Sequence, residues 1–263
     1  MSNILKKIYI VLIFLFLYAP MAVLIVLSFN ESKSRSKWGG FTFKWYAKLL
    51  SDSDIMEALF TTLMLALLSS LIATFIGTIA AIAIMSFKKG MRTLVLGITN
   101  IPMLNAEIVT GISLMLLFIF FKVKFGFTTI LLAHITFNIP YVILSVMPRI
   151  KQLNPSSYEA AMDLGASPFK AFMKVVFPDI LPGVFSGLLM AFTMSIDDFI
   201  ITHFTKVAGV DTLSTKIYSQ VRKGIDPKMY ALSSIIFVSV LVLLILVNLL
   251  PNAGRKTKAE KKG

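Results

Sequence analysis

Long stretches without a charged residue constrain this chain more than any other feature of its sequence. Residues 8–29, 58–87 and 229–254 form runs of 22, 30 and 26 uncharged residues, most of them apolar. A helix of about 20 apolar residues is needed to cross a hydrocarbon core of about 30 Å. Backbone in lipid must also satisfy its own hydrogen bonds, which a helix does within one segment. The sequence therefore predicts an all-α integral membrane protein.

The composition agrees with this fold class. Hydrophobic residues make up 57% of the chain, and the mean hydropathy is +0.83. The formal net charge of +13 is spread over loops and tails beside apolar spans, where anionic lipid headgroups explain it more simply than nucleic acid does. There is no cysteine, which excludes disulfides and thiolate metal sites.

We expect one membrane domain over residues 1–263 with six spans. The predicted spans are about 8–29, 58–87, 93–121, 125–149, 180–204 and 229–252. The first is expected to stay uncleaved because its apolar core is too long for a signal peptide. Residues 30–57 and 205–228 are read as polar loops, and the basic tail 255–263 as mobile. Lys and Arg counts of 14 and 12 on the two sides are too similar to orient the chain.

The segment between the fourth and fifth spans carries start and stop signals for two short helices. Each helix opens on a capping side chain followed by proline, in Asn154-Pro155 and in Ser167-Pro168. Gly165 can end the first helix, and Pro178 is expected to end the second. We therefore predict an elbow at residues 154–178 outside the bilayer. Its apolar face needs a partner surface.

This elbow resembles a motif of a known family. Glu159-Ala160-Ala161, then Gly165, then Val175-x-Phe177-Pro178 is similar to the EAA loop of ABC-importer permeases, with Val and Phe in place of Ile and Leu. The resemblance implies a type I ABC importer permease fold, with the elbow as a cytoplasmic coupling helix that docks on an ATP-binding subunit. It thereby places both termini in the cytoplasm. The residues alone leave open a plain interfacial linker whose E-A-A reflects helix propensity.

Three carboxylates fall inside the predicted spans: Glu107, Asp197 and Asp198. A charge at the centre of a membrane helix costs about 2.5–3.5 kcal/mol, so each needs a partner or a water-filled face. Counted at helical rise from Thr93 and Asp179, Glu107 and Asp197 lie about 21 Å and about 27 Å from the cytoplasmic side. We interpret the acids as a path for a cationic solute. The alternatives are a helix end among headgroups for the Asp pair and a lysine partner for Glu107.

Neighbouring side chains extend this hypothesis. Ser195 precedes Asp198 by three residues and is expected to share its helix face. Pro102 and Asn105 are expected to open the third span locally, because irregular backbone at membrane depth lines cavities. Trp45 can offer a cation–π contact at the outer mouth or serve as an interfacial anchor.

A narrower resemblance covers most of the chain, from residue 8 to about 252. Segments 101–118, 134–149, 194–199 and 213–232 are similar to the spermidine/putrescine (PotC-type) importer permease family. Carried over position by position, the residues that this family implicates in polyamine passage are Trp45, Glu107, Ser195, Asp197 and Asp198. A polyamine with several ammonium groups suits spaced carboxylates in a desolvated path.

The resemblance also implies partners. These are a homologous second permease, a dimer of ATP-binding subunits that carries ATP and Mg, an extracytoplasmic polyamine-binding protein, and the lipid of a bacterial inner membrane. The chain has no G-x-x-x-x-G-K-[ST] sequence, so we expect no ATPase activity, no cofactor and no enzyme function of its own. His134 is expected to be a buried hydrogen-bonding residue or a pore liner rather than a metal ligand.

Two other functions stay open at this point. The chain can be an ABC permease for another solute, such as iron or a sugar. It can also be an ion-coupled secondary transporter that uses Glu107 and Asp197 as proton relays. Dependence of transport on ATP separates the second alternative from the others.

Overall fold

The structure is a computed structural model of the chain and describes residues 3–249. Every regular element in this part of the chain is helical, and the β contact between Asn30 and Phe41 is an isolated bridge. The predicted all-α class is confirmed. The expectation of a mobile basic tail at 255–263 lies outside the described residues.

The helices follow one another with short connections. They are α1 Asn3–Ser28, α2 Lys44–Leu50, α3 Ser53–Ser86, α4 Lys89–Leu104, α5 Glu107–Phe120, α6 Phe127–Lys151, α7 Pro155–Asp163, α8 Pro168–Ala171, α9 Phe177–Asp197, α10 Ile200–Thr205, α11 Leu213–Lys223 and α12 Pro227–Leu249. A π-helical turn, Phe172–Val176, joins α8 to α9. The chain divides into two compact units, one from Asp54 to Tyr218 and one from the segments on either side.

Several of these helices have the length and composition of membrane spans. In the described residues four helical segments qualify alone: Leu5–Ser28, Ser53–Ser86, Phe127–Lys151 and Pro168–Asp197. α4 and α5 qualify only as a pair, bent by 103° at the break between them. The sixth predicted span coincides with α12, although residues 250–252 lie outside the described part. The count of six spans stays a prediction.

The unit from Asp54 to Tyr218 is built around α6, which two other helices approach closely through glycines. A Cβ on Gly77 of α3 would lie 2.8 Å from the Val142 side chain, and one on Gly187 of α9 would lie 3.2 Å from Val142 Cα. A Cβ on Gly183 would lie 3.0 Å from the Ser145 carbonyl oxygen. Small residues permit such close contacts. Helices in a membrane depend on close packing because lipid tails are as apolar as the side chains, so that moving apolar surface from lipid to another helix gains little by itself.

The other unit contains α1, α2 and α12. Trp45 of α2 is 2% exposed, and its indole N–H donates to the Asn30 carbonyl at 2.7 Å. The Asn30 side chain accepts from Gly39 N at 2.8 Å and donates to the Lys37 carbonyl at 2.9 Å, so it organises the loop before α2. Residues 30–57 thus contain more regular structure than the predicted polar loop.

Three local predictions were wrong. α2 and α11 lie inside segments predicted to be loops, because short helices with mixed polarity lack the long apolar runs that marked the others. Pro178 does not end a helix, since α8 continues through the π turn into α9. Pro178 lies in the first turn of α9, directly after the π turn. Proline is tolerated there because its missing N–H has no α-helical partner to lose.

The close approach of α3 to α6 gives a stability prediction. We expect Gly77→Ala to lower the free energy of unfolding by about 1–3 kcal/mol, because the added methyl overlaps the Val142 side chain in a packed core. The measurement is the thermal midpoint of the purified protein in detergent. Gly97→Ala is the matched control, since nothing lies within 4 Å of a Cβ there. Equal midpoints for the two variants would contradict the packing described here.

Candidate functional site

The Asp197-Asp198 pair lies at a break between two helices. α9 ends at Asp197, and Asp198 has extended backbone dihedral angles. The Asp198 carboxylate accepts from the backbone N–H groups of Ile201 and Thr202, at 3.1 and 2.8 Å, and from the Thr202 hydroxyl at 2.8 Å. An aspartate that caps the next helix in this way favours a new start over a continuous helix. The predicted fifth span, about 180–204, is therefore interrupted after Asp197, and its extent in a membrane stays a prediction.

A buried imidazole lies against this break. His134 of α6 is 2% exposed, as expected for a buried hydrogen-bonding residue. Its Nδ1 lies 2.9 Å from Ser195 Oγ, and its Nε2 lies 2.9 Å from Thr202 Oγ1 and 3.3 Å from Asp198 Oδ2. Ser195 and Asp198 thus both contact His134 and do not simply share one helix face.

Two more side chains complete this buried group, which we call the His134 cluster. Ser69 Oγ of α3 lies 2.8 Å from Ser195 Oγ, and Asn138 Nδ2 of α6 donates to the same oxygen at 2.9 Å. The members of the cluster are Ser69, His134, Asn138, Ser195, Asp198 and Thr202. All six residues are buried. They join α3, α6, α9 and α10 at one place.

The two aspartates of the pair differ in their surroundings. Asp197 is exposed, whereas Asp198 is only 9% exposed. Next to the pair, an aromatic group forms from Phe199, His203 and Tyr218, with the Phe199 and Tyr218 ring centroids 4.4 Å apart. Aromatic faces attract cations. Sequence reasoning missed this group because its members come from two helices, although Phe199 and His203 have i, i+4 spacing.

Glu107 lies at a second break. It is the first residue of α5 and is exposed, and a carboxylate is favourable at a helix N-terminus. The predicted opening at Pro102 and Asn105 is present as a 103° bend between α4 and α5. The depth of about 21 Å predicted for Glu107 assumed a straight helix at standard rise, and the bend removes that assumption, so the depth itself stays a prediction.

The two breaks lie close together. Gly111, one turn after Glu107, packs against α10, where its Cβ would lie 3.5 Å from the Ile200 carbonyl oxygen and 3.2 Å from the Phe204 ring. Ile200 follows the Asp pair by two residues. The exposed carboxylates of Glu107 and Asp197 therefore belong to one region of the Asp54–Tyr218 unit. Such carboxylates at breaks within a membrane domain can accept a cation.

Trp45 lies in the other unit, and the structure gives it local partners. Its ring is approached by the chain's own cations, with Lys48 Nζ 5.4 Å and Lys44 Nζ 5.8 Å from the ring centroid. Its indole N–H already donates a hydrogen bond to the Asn30 carbonyl. A substrate contact by Trp45 stays a prediction.

A second acidic region was not found from the sequence. A cavity of about 380 Å³ is lined by Asp54, Glu57, Asp211 and Lys216, among others. Lys216 pairs with Asp54 at 2.9 Å, and Lys206 pairs with Asp211. Burial alone would raise the pKa of the Asp211 carboxyl, but the hydrogen bond and charge of Lys206 outweigh it, and the pKa is lowered. Asp54 and Asp211 of this cavity are therefore already paired with lysines of the chain itself. Among residues 3–249, no three His, Cys, Asp or Glu side chains are grouped to hold a metal ion.

The elbow has the caps and the glycine turn that its sequence predicts. The Asn154 side chain accepts from Ser156 N at 3.1 Å, the Ser167 hydroxyl accepts from Lys170 N at 3.4 Å, and Gly165 has φ +85°. Leu164 and Phe169 are 89% and 75% exposed. Two large apolar side chains held out on short helices form a surface suited to another protein. In the motif itself, Glu159 and Ala160 are exposed and Ala161 is half-buried.

Comparisons with known proteins agree with this architecture. The family model "Binding-protein-dependent transport system inner membrane component" matches residues 73–253. The "Spermidine/putrescine transport system permease protein PotC" of Escherichia coli (strain K12) is 37% identical over 248 residues, covering 94% of this chain and 93% of the relative. The "Putrescine transport system permease protein PotI" of the same strain is 39% identical over 231 residues, covering 85% and 82%.

A solved structure shows the same fold. The crystal structure of a bacterial alginate ABC transporter in complex with an alginate pentasaccharide-bound periplasmic protein contains a chain that matches this one with a TM-score of 0.71 at 19% identity, covering 92% of this chain and 90% of that one. At such identity the likeness shows fold alone. The predicted family resemblance is confirmed, and the chain belongs to the family of binding-protein-dependent transport system inner membrane components, the permease subunits of ABC transporters.

Proposed function

We propose that this chain is the permease subunit of an ATP-driven ABC importer for polyamines, spermidine or putrescine, and that it forms half of the translocation pathway. One observation supports this most directly. Glu107 and Asp197 present exposed carboxylates at two neighbouring helix breaks within an apolar, helical unit. A polycation is the solute that such a site favours, and polyamines are named as the substrates of the two relatives.

The proposed topology is a single type I permease domain with six spans and both termini in the cytoplasm. α12 supplies the sixth span, and α4 with α5 forms one broken span. The family name supports an inner-membrane location. In this arrangement the elbow faces the cytoplasm, and the Asp197 end of α9 lies towards the opposite side.

The proposed pathway residues are Trp45, Glu107, Ser195, Asp197 and Asp198. Substrate arrives from an extracytoplasmic polyamine-binding protein, and its ammonium groups replace their water shell with carboxylates. Closure of the ATP-binding subunits is transmitted through the elbow, and the spans rock from one access state to the other. The driving ATP and Mg are bound by the partner ATPase, not by this chain.

The proposed docking surface for the ATP-binding subunit dimer is the elbow. Glu159, Ala160 and Ala161 lie on α7, and Gly165 makes the tight turn into α8. Pro178 lies where the π turn passes into α9, so it links the docking surface to the membrane segment. A homologous second permease completes the pore, and lipid covers the remaining apolar surface.

The exposed carboxylates of Asp197 and Glu107 should contribute to the affinity for the polyamine. We expect Asp197→Asn and Glu107→Gln each to raise the spermidine concentration for half-maximal uptake by about tenfold or more, since losing a charge partner in a desolvated site costs at least about 1.4 kcal/mol. Uptake of labelled spermidine by proteoliposomes containing the whole transporter measures this. The control is Asp179→Asn, an exposed carboxylate at the other end of α9. Wild-type uptake by both variants would remove the two acids from the pathway. A transporter that takes up iron or a sugar instead would overturn the proposed substrate.

The exposed apolar surface of the elbow should be needed to bind the ATP-binding subunit. Phe169→Glu should abolish co-purification of the ATP-binding subunit and ATP-dependent uptake, because a charge replaces an exposed apolar anchor. The fold should survive, since the side chain is 75% exposed. Phe169→Leu, which keeps the apolar surface, should retain most of the bound subunit. Full co-purification with the glutamate variant would show that the ATPase docks elsewhere.

A further inference from the structure

We propose that His134 is the positioning residue of this site. Through its contacts with Thr202 and Asp198, it fixes the break after α9 so that Asp197 alone of the aspartate pair faces the substrate. The two aspartates then act in different ways: Asp197 meets the cation, and Asp198 acts through His134, while Ser195 only supports the other side of the ring. The substrate part of this inference rests on the proposed polyamine function, whereas the positioning part does not.

The hydrogen bonds around His134 are compatible with one set of donors and acceptors. The Thr202 hydroxyl donates to Asp198, so its oxygen is free to accept from His134 Nε2–H. His134 Nδ1 can then accept from the Ser195 hydroxyl, whose oxygen accepts from Asn138. A neutral imidazole with its proton on Nε2 thus satisfies both neighbours and connects the end of α9 to the start of α10.

Asp198 has little hydrogen-bonding capacity left to offer a substrate. One carboxylate oxygen accepts from Ile201 N, and the other accepts from Thr202 N and the Thr202 hydroxyl and lies 3.3 Å from His134. A carboxylate with this many donors, in a residue 9% exposed, is already compensated. Asp197, one residue earlier, is exposed. The structure thus separates two adjacent acids into a buried cap and an exposed contact.

The His134 cluster holds together the helices on both sides of the break after α9. Four helices converge on it, and at least one of its bonds would break if α9 and α10 moved relative to α6. Ser214 adds support from α11, because its hydroxyl donates to the Ile196 carbonyl, one of the open carbonyls at the end of α9, at 3.3 Å. Buried polar networks of this kind specify one arrangement, since breaking them leaves unpaired groups in an apolar interior.

Two conservative substitutions separate the contacts of the two imidazole nitrogens. A glutamine amide reaches approximately the position of Nε2, and an asparagine amide that of Nδ1. His134→Gln can therefore keep the bond towards Thr202 and Asp198, whereas His134→Asn keeps only the bond towards Ser195. If His134 positions Asp197 through Asp198, the glutamine variant should behave like the wild type and the asparagine variant should not.

A labelling experiment tests positioning without using transport. Because the chain has no cysteine, Asp197→Cys creates a single thiol at the break. Membranes carrying the complete transporter are treated with a water-soluble thiol reagent. We expect His134→Asn to change the labelling rate of Cys at 197 by at least about threefold, the lower range of coupling between neighbouring residues, and His134→Gln to leave it unchanged. Thr193→Cys, exposed one turn earlier on α9, is the matched control and should label equally with all three residues at 134.

Unchanged labelling at 197 in the asparagine variant would overturn the positioning role. So would an equal change at 193, because that would indicate general loosening of α9.

A double-mutant cycle then tests the link to substrate. His134→Asn alone should raise the spermidine concentration for half-maximal uptake by about tenfold, and it should add nothing in an Asp197→Asn background. Additive effects would mean that His134 acts independently of Asp197 and would overturn the link. If the labelling result holds but the wild-type transporter takes up no polyamine, the proposed function fails and the positioning role stands.

Discussion

The structure of the Asp54–Tyr218 unit depends on one constraint: a polar group buried in an apolar helical core must find a partner within the protein. His134 and Ser195 lie on segments that also have to be apolar enough for a membrane, and Asp198 directly follows one of them. They are tolerated together because each completes the hydrogen bonding of the next. The break between α9 and α10 follows from the same constraint, since Asp198 takes backbone donors that a continuous helix would have used otherwise.

That cluster forms only because the helices come close enough. Gly77, Gly183 and Gly187 let α3 and α9 approach α6, which brings Ser69 and Ser195 to the side chains of His134 and Asn138. Larger residues at these positions would separate the helices by more than a hydrogen bond can bridge. Packing of small residues and pairing of polar ones are thus two parts of one interface. The neighbouring contact of Gly111 with α10 places the second break, and with it Glu107, in the same region.

A permease must combine a firm framework with a site that changes its access. The buried cluster supplies the first, and we propose that the exposed carboxylates at the breaks belong to the second. In the elbow, a turn at positive φ at Gly165 separates α7 from α8, and Leu164 and Phe169 are held outward. The continuous path from α8 through the π turn into α9 connects that outward surface with the helix that ends at Asp197. Movement at the elbow therefore has a direct covalent and helical route to the site.

The sequence by itself determined the fold class, the positions of most of the long helices and the caps of the elbow. These depend on uncharged length and on residues next to one another in the chain, such as Ser167 and Pro168. It also pointed to Glu107 and the aspartate pair, because an acid in an apolar run is conspicuous. Tertiary structure alone decided which aspartate is buried, since the partner that holds Asp198 is His134, distant in sequence. The break before Glu107 was indicated by Pro102 and Asn105, but its angle of 103° was not. The short helices α2 and α11 also appeared only in the structure, because they lack the long apolar runs by which local periodicity marks a helix.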